Sequence, residues 1–358
     1  MPIPNKFHFF WGKSTVLPYA RYLTMATCRI HHPDAPMYFY TCKCGDTEKW
    51  GAIFQDFQFN FDELNKCILA GKTCFCEEQR EIIQDILLPH GDPSPWDRIK
   101  YDSDKIINIF SKYTNDATLI SDLTELVKQR EEREAKRPAK HDYIQDAVER
   151  LGVELKEYKP EDSRVYTLPP PNVSDIFSVE ILKREGGWYL DLDQVVMKSL
   201  EQLGRHYDFL CGGQTAFYIG IFGSKAGGKV VTDFYEKMLN GYDPENYNST
   251  GITAITKHCV LNNDWHKWLK TGPEVCHIST QEMFYPLCAW DGANRFWNGT
   301  YNIEANKESY CCHYFGGNAL SQLWIRTLTP QNLFEGNHCM GKYLSKYRGY
   351  SKELCLNG

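Results

Sequence analysis

The segment Glu185-Gly-Gly-Trp-Tyr-Leu-Asp-Leu-Asp193 constrains this chain more than any other. Before it, Ser174 is placed to cap a helical run that reaches about Arg184, and Gly186-Gly187 stops that run. Trp188 to Leu192 then reads as a buried strand. Asp191 and Asp193 stand two apart at its end. Period-two geometry sets both carboxylates on one side, with Leu190 and Leu192 directed into a core. The N-terminus points to the same architecture. Lys6–Trp11 reads as a strand, and Leu17–Ile30 as a helix with Tyr19, Tyr22, Leu23, Ala26 and Ile30 at helical spacing. Met37–Thr41 reads as a second strand, and strand, helix, strand in this order is a β-α-β unit of a parallel sheet. The expected fold class is α/β.

Residues 60–160 differ in texture and read as a helical insertion or subdomain within a domain spanning 1–330. The mixed-sign charges of Thr124–Lys140 suit a solvated helix laced with i,i+4 pairs. Pro169-Pro170-Pro171 reads as a rigid connector. Phe209–Cys211 and Ala216–Phe222 read as strands, Lys229–Leu239 and Thr253–Leu261 as helices, and 331–358 as a C-terminal tail or helix.

Composition excludes several function classes. A formal charge of −6 over 358 residues speaks against a dedicated nucleic-acid binder, so no nucleic-acid partner is expected. The Phe209–Ser224 window is shorter than the ~20 apolar residues a spanning helix needs. The N-terminus lacks a basic-then-apolar signal pattern. The expectation is a cytoplasmic protein with no transmembrane segment. The basic, aromatic Lys342–Tyr350 run raises a membrane-peripheral contact against the plainer reading of a terminal helix. The 14 cysteines include two CxC pairs, Cys42/Cys44 and Cys74/Cys76. That spacing is tighter than usual zinc-ligand spacing, and the cysteines read as reduced, largely buried thiols.

Two convergent carboxylates make a hard-oxygen site suited to Mn²⁺ or Mg²⁺, which bind through one or two carboxylates plus substrate phosphates. With its helix, its Gly-Gly stop and its apolar strand, this site resembles the DXD glycosyltransferases of the GT-A fold. The resemblance is to the initiating mannosyltransferase and globoside galactosyltransferase family and to the catalytic domains of large clostridial glucosylating toxins. It continues in order through Ile3–Gly12, Phe222–Gly228, Ser249–Lys257, Phe284–Asp291, Ser309–His313 and Trp324.

The resemblance implies a Rossmann-like, mostly parallel sheet flanked by helices. It implies a metal-dependent transferase moving a sugar from a nucleotide-sugar donor, a UDP-sugar, to a hydroxyl on a glycan, glycolipid or protein acceptor. By position, Asp193 resembles the direct metal ligand. Asp191 resembles the carboxylate that reaches ribose and donor sugar and touches the metal through water. His313 resembles the histidine beside the metal or pyrophosphate. Trp11 resembles the aromatic that stacks on uracil, Asp175 an acid facing the donor sugar, and Trp324 a cover over the donor from a C-terminal loop. Ser178 stands where relatives carry an arginine that contacts the donor, which leaves donor identity open. Tyr285 and Asp291 are placed to face the acceptor. Asp291 is the candidate general base if the reaction inverts, whereas the resemblance tilts towards retention.

Two rival readings have sequence support. Gly223-Ser-Lys-Ala-Gly-Gly228-Lys229-Val230 approaches a P-loop but lacks the closing hydroxyl, which is the signature of a nucleotide hydrolase. A non-catalytic metal- or carbohydrate-binding protein would use the same acidic pair without turnover.

Overall fold

The computed structural model describes residues 2–12, 16–42, 141–213, 218–243, 250–251, 274–287, 292–316, 321, 324–325 and 327–356. Most of the 60–160 region, the Thr253–Leu261 segment and Asp291 lie outside the described residues.

Strand β1 (Phe7–Trp11), helix α1 (Tyr19–His31) and strand β2 (Met37–Thr41) form the expected unit. The strands pair in parallel from Phe7 opposite Met37 to Trp11 opposite Thr41. Helix α2 (Ile144–Leu151) leads to β3 (Glu154–Glu157), which adds to β2 in parallel. The end of the region read as helical therefore supplies an edge of the main sheet.

Helix α3 (Pro170–Glu185) precedes β4 (Gly187–Leu190). It starts earlier than the sequence reading, within the triple proline. Proline in the first turn lacks only an N–H that would have had no helical partner, and its φ is already helical. Ser174 is freed from capping, and its hydroxyl lies 3.0 Å from that of Tyr189. The Gly-Gly stop behaves as expected. Gly186 has φ +67° and Gly187 φ +107°, and a Cβ on Gly187 would stand 2.7 Å from the Lys6 carbonyl. Glycine lets β4 lie directly beside β1, where Phe7 pairs with Trp188.

β5 (Gln194–Val196), β6 (Phe209–Gly212) and β7 (Tyr218–Ser224) follow, then helix α4 (Lys229–Asn240), β8 (Cys276–Ser279) and β9 (Cys311–His313). The seven-stranded sheet runs β3-β2-β1-β4-β7-β6-β8, and β5 and β9 form a separate two-stranded ladder. Strand β7 is antiparallel to both neighbours, and the remaining pairs of the large sheet are parallel. This is the mostly parallel α/β sheet flanked by helices that the GT-A resemblance implied.

Alternation along the strands divides the core. Phe7, Phe9, Trp188 and Leu190 pack with α1 on one face. Phe10, Tyr40, Tyr189 and Phe222 pack with α3 and α4 on the other. Each fully buried Phe or Leu contributes about 1.5–3 kcal/mol relative to exposure. The tail is part of the body, since the Tyr19 and Tyr22 hydroxyls donate to the Leu354 and Glu353 carbonyls at 2.5 and 2.6 Å. A short helix, Cys339–Leu344, falls within the segment read as a tail or helix. Among the described cysteines, Cys28, Cys211, Cys276, Cys311, Cys312, Cys339 and Cys355 are free thiols. Cys42 is disulfide-bonded, so the reduced-thiol reading does not hold for it.

Candidate active site

Strand β4 ends at Leu190 and β5 begins at Gln194, so Asp191-Leu192-Asp193 is a turn rather than a strand face. The cause is local. Asp191 N–H makes a last bond to the Gly220 carbonyl on β7 (2.7 Å), after which the chain leaves the large sheet to pair with β9. Leu190 and Leu192 are buried as expected. The carboxylates still converge. Gln194 pairs with His313 across the β5–β9 ladder, and ligand atoms of Asp191, Asp193 and His313 all lie within 4.8 Å of one another.

The two aspartates have opposite surroundings. Asp191 Oδ1 accepts the Tyr189 hydroxyl proton at 2.6 Å. A Cβ on Gly220 would stand 2.8 Å from Asp191 Oδ2, so glycine makes room for this carboxylate. Burial and then the Asp193 charge push Asp191 up to about 6, against the Tyr189 hydrogen bond. Burial acts in the same direction on Asp193. It is outweighed by His313, by Arg21 and by the Gly316 N–H, which hold that carboxyl well below the usual range. Gly316 N–H donates to Asp193 Oδ2 at 2.6 Å, and Arg21 Nη1 lies 3.5 Å from the same oxygen. His313 Nε2 is 3.0 Å from Asp193 Oδ1 but out of line, and Oδ1 is a buried atom with no hydrogen bond. Phe315 N–H donates to His313 Nδ1 at 3.3 Å. Phe315 itself sits at φ 51°, a left-handed conformation that a bulky residue adopts at a cost of about 1–3 kcal/mol.

A second group adjoins the first. Asp175 Oδ2 accepts the Thr250 hydroxyl at 3.0 Å, and Asn172 Nδ2 donates to Thr250 Oγ1 at 2.7 Å. Burial and the Asp191 charge push Asp175 up to about 8, against the Thr250 hydrogen bond. Trp11 ends β1, half-buried, with the Arg21 guanidinium carbon 5.9 Å from its ring centroid. The structure thus brings together Asp175, Asp191, Asp193 and His313, with Trp11 linked to them through Arg21.

Three other expected residues are placed differently. Ser178 is fully buried, and its hydroxyl donates back to the Asp175 carbonyl at 2.7 Å. Trp324 stacks on Trp297 at 5.5 Å and 7°, and packs against His338. Tyr285 is buried beneath the site. Its hydroxyl accepts the Ile221 N–H at 3.0 Å, and its ring centroid lies 5.3 Å from that of His313. Asp291 lies outside the described residues. Sequence reasoning missed Arg21, Tyr189 and Gly316. An arginine amid the buried run Tyr19, Ala20, Tyr22, Leu23 was the available signal for the first.

The P-loop-like segment is otherwise engaged. The first N–H of α4, on Lys229, donates to Glu274 Oε1 at 2.8 Å, and Lys229 Nζ pairs with Asp233 at 2.9 Å. A carboxylate occupies the place a phosphate would need.

The donor set tests what could be held. Two carboxylates and an imidazole converge, and one buried carboxylate oxygen has no hydrogen bond. That set fits a hard divalent cation of the Mn²⁺ or Mg²⁺ class.

The acidic turn lies in a segment that comparison with known families recognises. Residues 99–210 match the family model described as a glycosyltransferase sugar-binding region containing a DXD motif, and Asp191-Leu192-Asp193 falls inside the match. Over that segment, under half of its length, the chain is similar to the sugar-binding region of DXD glycosyltransferases. No curated protein matches it. Among solved structures, it is similar to the glycosyltransferase GlyE of Streptococcus pneumoniae TIGR4, at 12% identity over 96% of this chain and 64% of that one, with a TM-score of 0.37. It is also similar to the catalytic domain of the alpha-toxin of Clostridium novyi, at 15% identity over 98% and 80%, with a TM-score of 0.33. A third is the UDP-bound glycosyltransferase domain of the YGT toxin, at 10% identity over 90% and 77%, with a TM-score of 0.32. Likeness at these scores leaves the assignment resting on the matched segment and the site.

Proposed function

We propose that this chain transfers a sugar from a nucleotide-sugar donor, a UDP-sugar, to an acceptor hydroxyl with the help of Mn²⁺ or Mg²⁺. The observation that carries the reading is the Asp191–Asp193–His313 cluster, with Asp193 buried and its Oδ1 without a hydrogen bond. Asp193 would hold the cation through Oδ1, with Asp191 and His313 beside it. Bound there, a divalent cation supplies Lewis-acid neutralisation of a departing diphosphate.

The chain's own residues do the rest. Tyr189, fixed by Ser174, aims the Asp191 carboxylate. Trp11 offers an aromatic face at the end of β1, suited to a uracil ring. Asp175, held by Thr250, faces the donor sugar from the start of α3. The acceptor is a glycan, glycolipid or protein hydroxyl. Among the described residues no helix is long and apolar enough to cross a membrane.

The test is release of UDP from UDP-sugars by wild type and Asp193→Ala, with Mn²⁺. Turnover lost in the variant supports the reading. Binding of donor and metal by wild type with no UDP released from any sugar would favour the non-catalytic rival. ATP hydrolysis that depends on Lys229 would favour the hydrolase.

A further inference from the structure

Asp193 uses its two oxygens differently. Oδ2 is engaged by the Gly316 N–H and faces the Arg21 guanidinium, whereas Oδ1 has no hydrogen bond. A cation taken up on Oδ1 would leave Arg21 where it is. Arg21 is an unusual guest in α1, because its neighbours Ala20, Tyr22 and Leu23 are fully buried and its own side chain is only 14% exposed. The helix is bolted to the acidic turn. Thr24 Oγ1 accepts the Gln194 N–H at 3.2 Å, and Thr27 Oγ1 accepts the Val196 N–H at 3.1 Å. The Tyr314 hydroxyl bridges the Ala20 and Leu192 carbonyls at 3.2 and 3.0 Å. The guanidinium also needs Gly316. A Cβ there would stand 2.5 Å from Arg21 Nη2 and 2.6 Å from Nη1. Four separate features thus hold one cationic fork between the acidic turn and the Trp11 ring.

We propose that Arg21 is a second, protein-borne cation for the donor's diphosphate, placed between the metal position at Asp193 and the base position at Trp11. This rests on the nucleotide-sugar reading above. A guanidinium presents planar paired donors that match phosphate oxygens, and charge-assisted bonds of this kind are the strong ones. A diphosphate running from a base on Trp11 to a cation on Asp193 Oδ1 passes this fork. The charge that grows on the leaving diphosphate would then be met from two sides.

The test compares calorimetric binding of Mn²⁺ alone, uridine, and UDP with Mn²⁺ in wild type, Arg21→Met, Arg21→Lys and Gly316→Ala, with melting curves for each. Arg21→Met should weaken UDP binding by on the order of ten- to a hundredfold, leave uridine unchanged, and not weaken Mn²⁺ alone. Arg21→Lys should recover part of the loss. Gly316→Ala, which displaces the fork without deleting it, should fall between. If Arg21→Met does not fold, Arg21→Lys and Gly316→Ala carry the comparison. Equal UDP affinity in a folded Arg21 variant and wild type would overturn the proposal, as would parallel loss of uridine and UDP. Wild type that binds neither UDP nor GDP with Mn²⁺ would overturn the donor reading, and this proposal with it.

Discussion

Two buried carboxylates in this molecule have opposite circumstances. Glu180, in the middle of α3, is fully buried. It accepts from the Tyr158 hydroxyl at 2.9 Å and from the Glu161 N–H, and pairs with Arg184 at 3.4 Å. Asp193 is almost as buried, yet one of its oxygens has no hydrogen bond. Burial alone therefore does not mark a functional acid. A carboxylate with hydrogen bonds to several elements ties them together, whereas one held ionised by neighbouring cations, with an oxygen left without a hydrogen bond, is a candidate for function.

That contrast can be broken most severely at Asp193. Asp193→Ala should lower UDP-sugar turnover by about 10²–10³-fold or more and remove the melting shift given by Mn²⁺. Glu180→Ala should do the reverse. It leaves the Tyr158 hydroxyl and the Glu161 N–H without their acceptor, and should cost about 1–3 kcal/mol in urea denaturation while sparing turnover per folded molecule. The pH dependence is a smaller effect. Asp191 is raised to about 6, so protons compete with the cation below that value. Mn²⁺ affinity should fall by about tenfold per pH unit below 6 and level off above it. Asp191→Asn should bind weakly at every pH and lack this slope.

A stability effect with its own pH dependence concerns Asp175, raised to about 8. An acid raised in the fold binds more protons folded than unfolded, so it lowers stability as pH rises from its unfolded value, about 4, towards 8. Without metal or donor, Asp175→Asn should gain melting temperature relative to wild type between pH 5 and 8. A constant difference across that range would place the raised acidity elsewhere.

Local patterns in the sequence carried much of this. Strand β2 has the limits its apolar run implied, and the Gly186-Gly187 stop turned the chain where expected. The Asp pair was read on a strand face and lies in a turn, because departure from the sheet depends on β9, over a hundred residues later. His313 was found through motif order, but Arg21 was not. Its relation to Asp193 depends on how α1 crosses the turn, which helical spacing does not reveal. The early start of α3 was hidden by prolines, which are helix breakers inside a helix and good first residues at its start.

The β5–β9 ladder has a consequence for how the enzyme comes into being. His313, Phe315 and Gly316 reach the acidic turn only when β9 has found β5, a closure across more than a hundred residues. Such closures are entropically late. A folding chain would pair β1 with β2 and hold both aspartates before His313 and Gly316 could join them. The cluster should therefore assemble in one late step, after the β1–β2 pairing that needs only local closure.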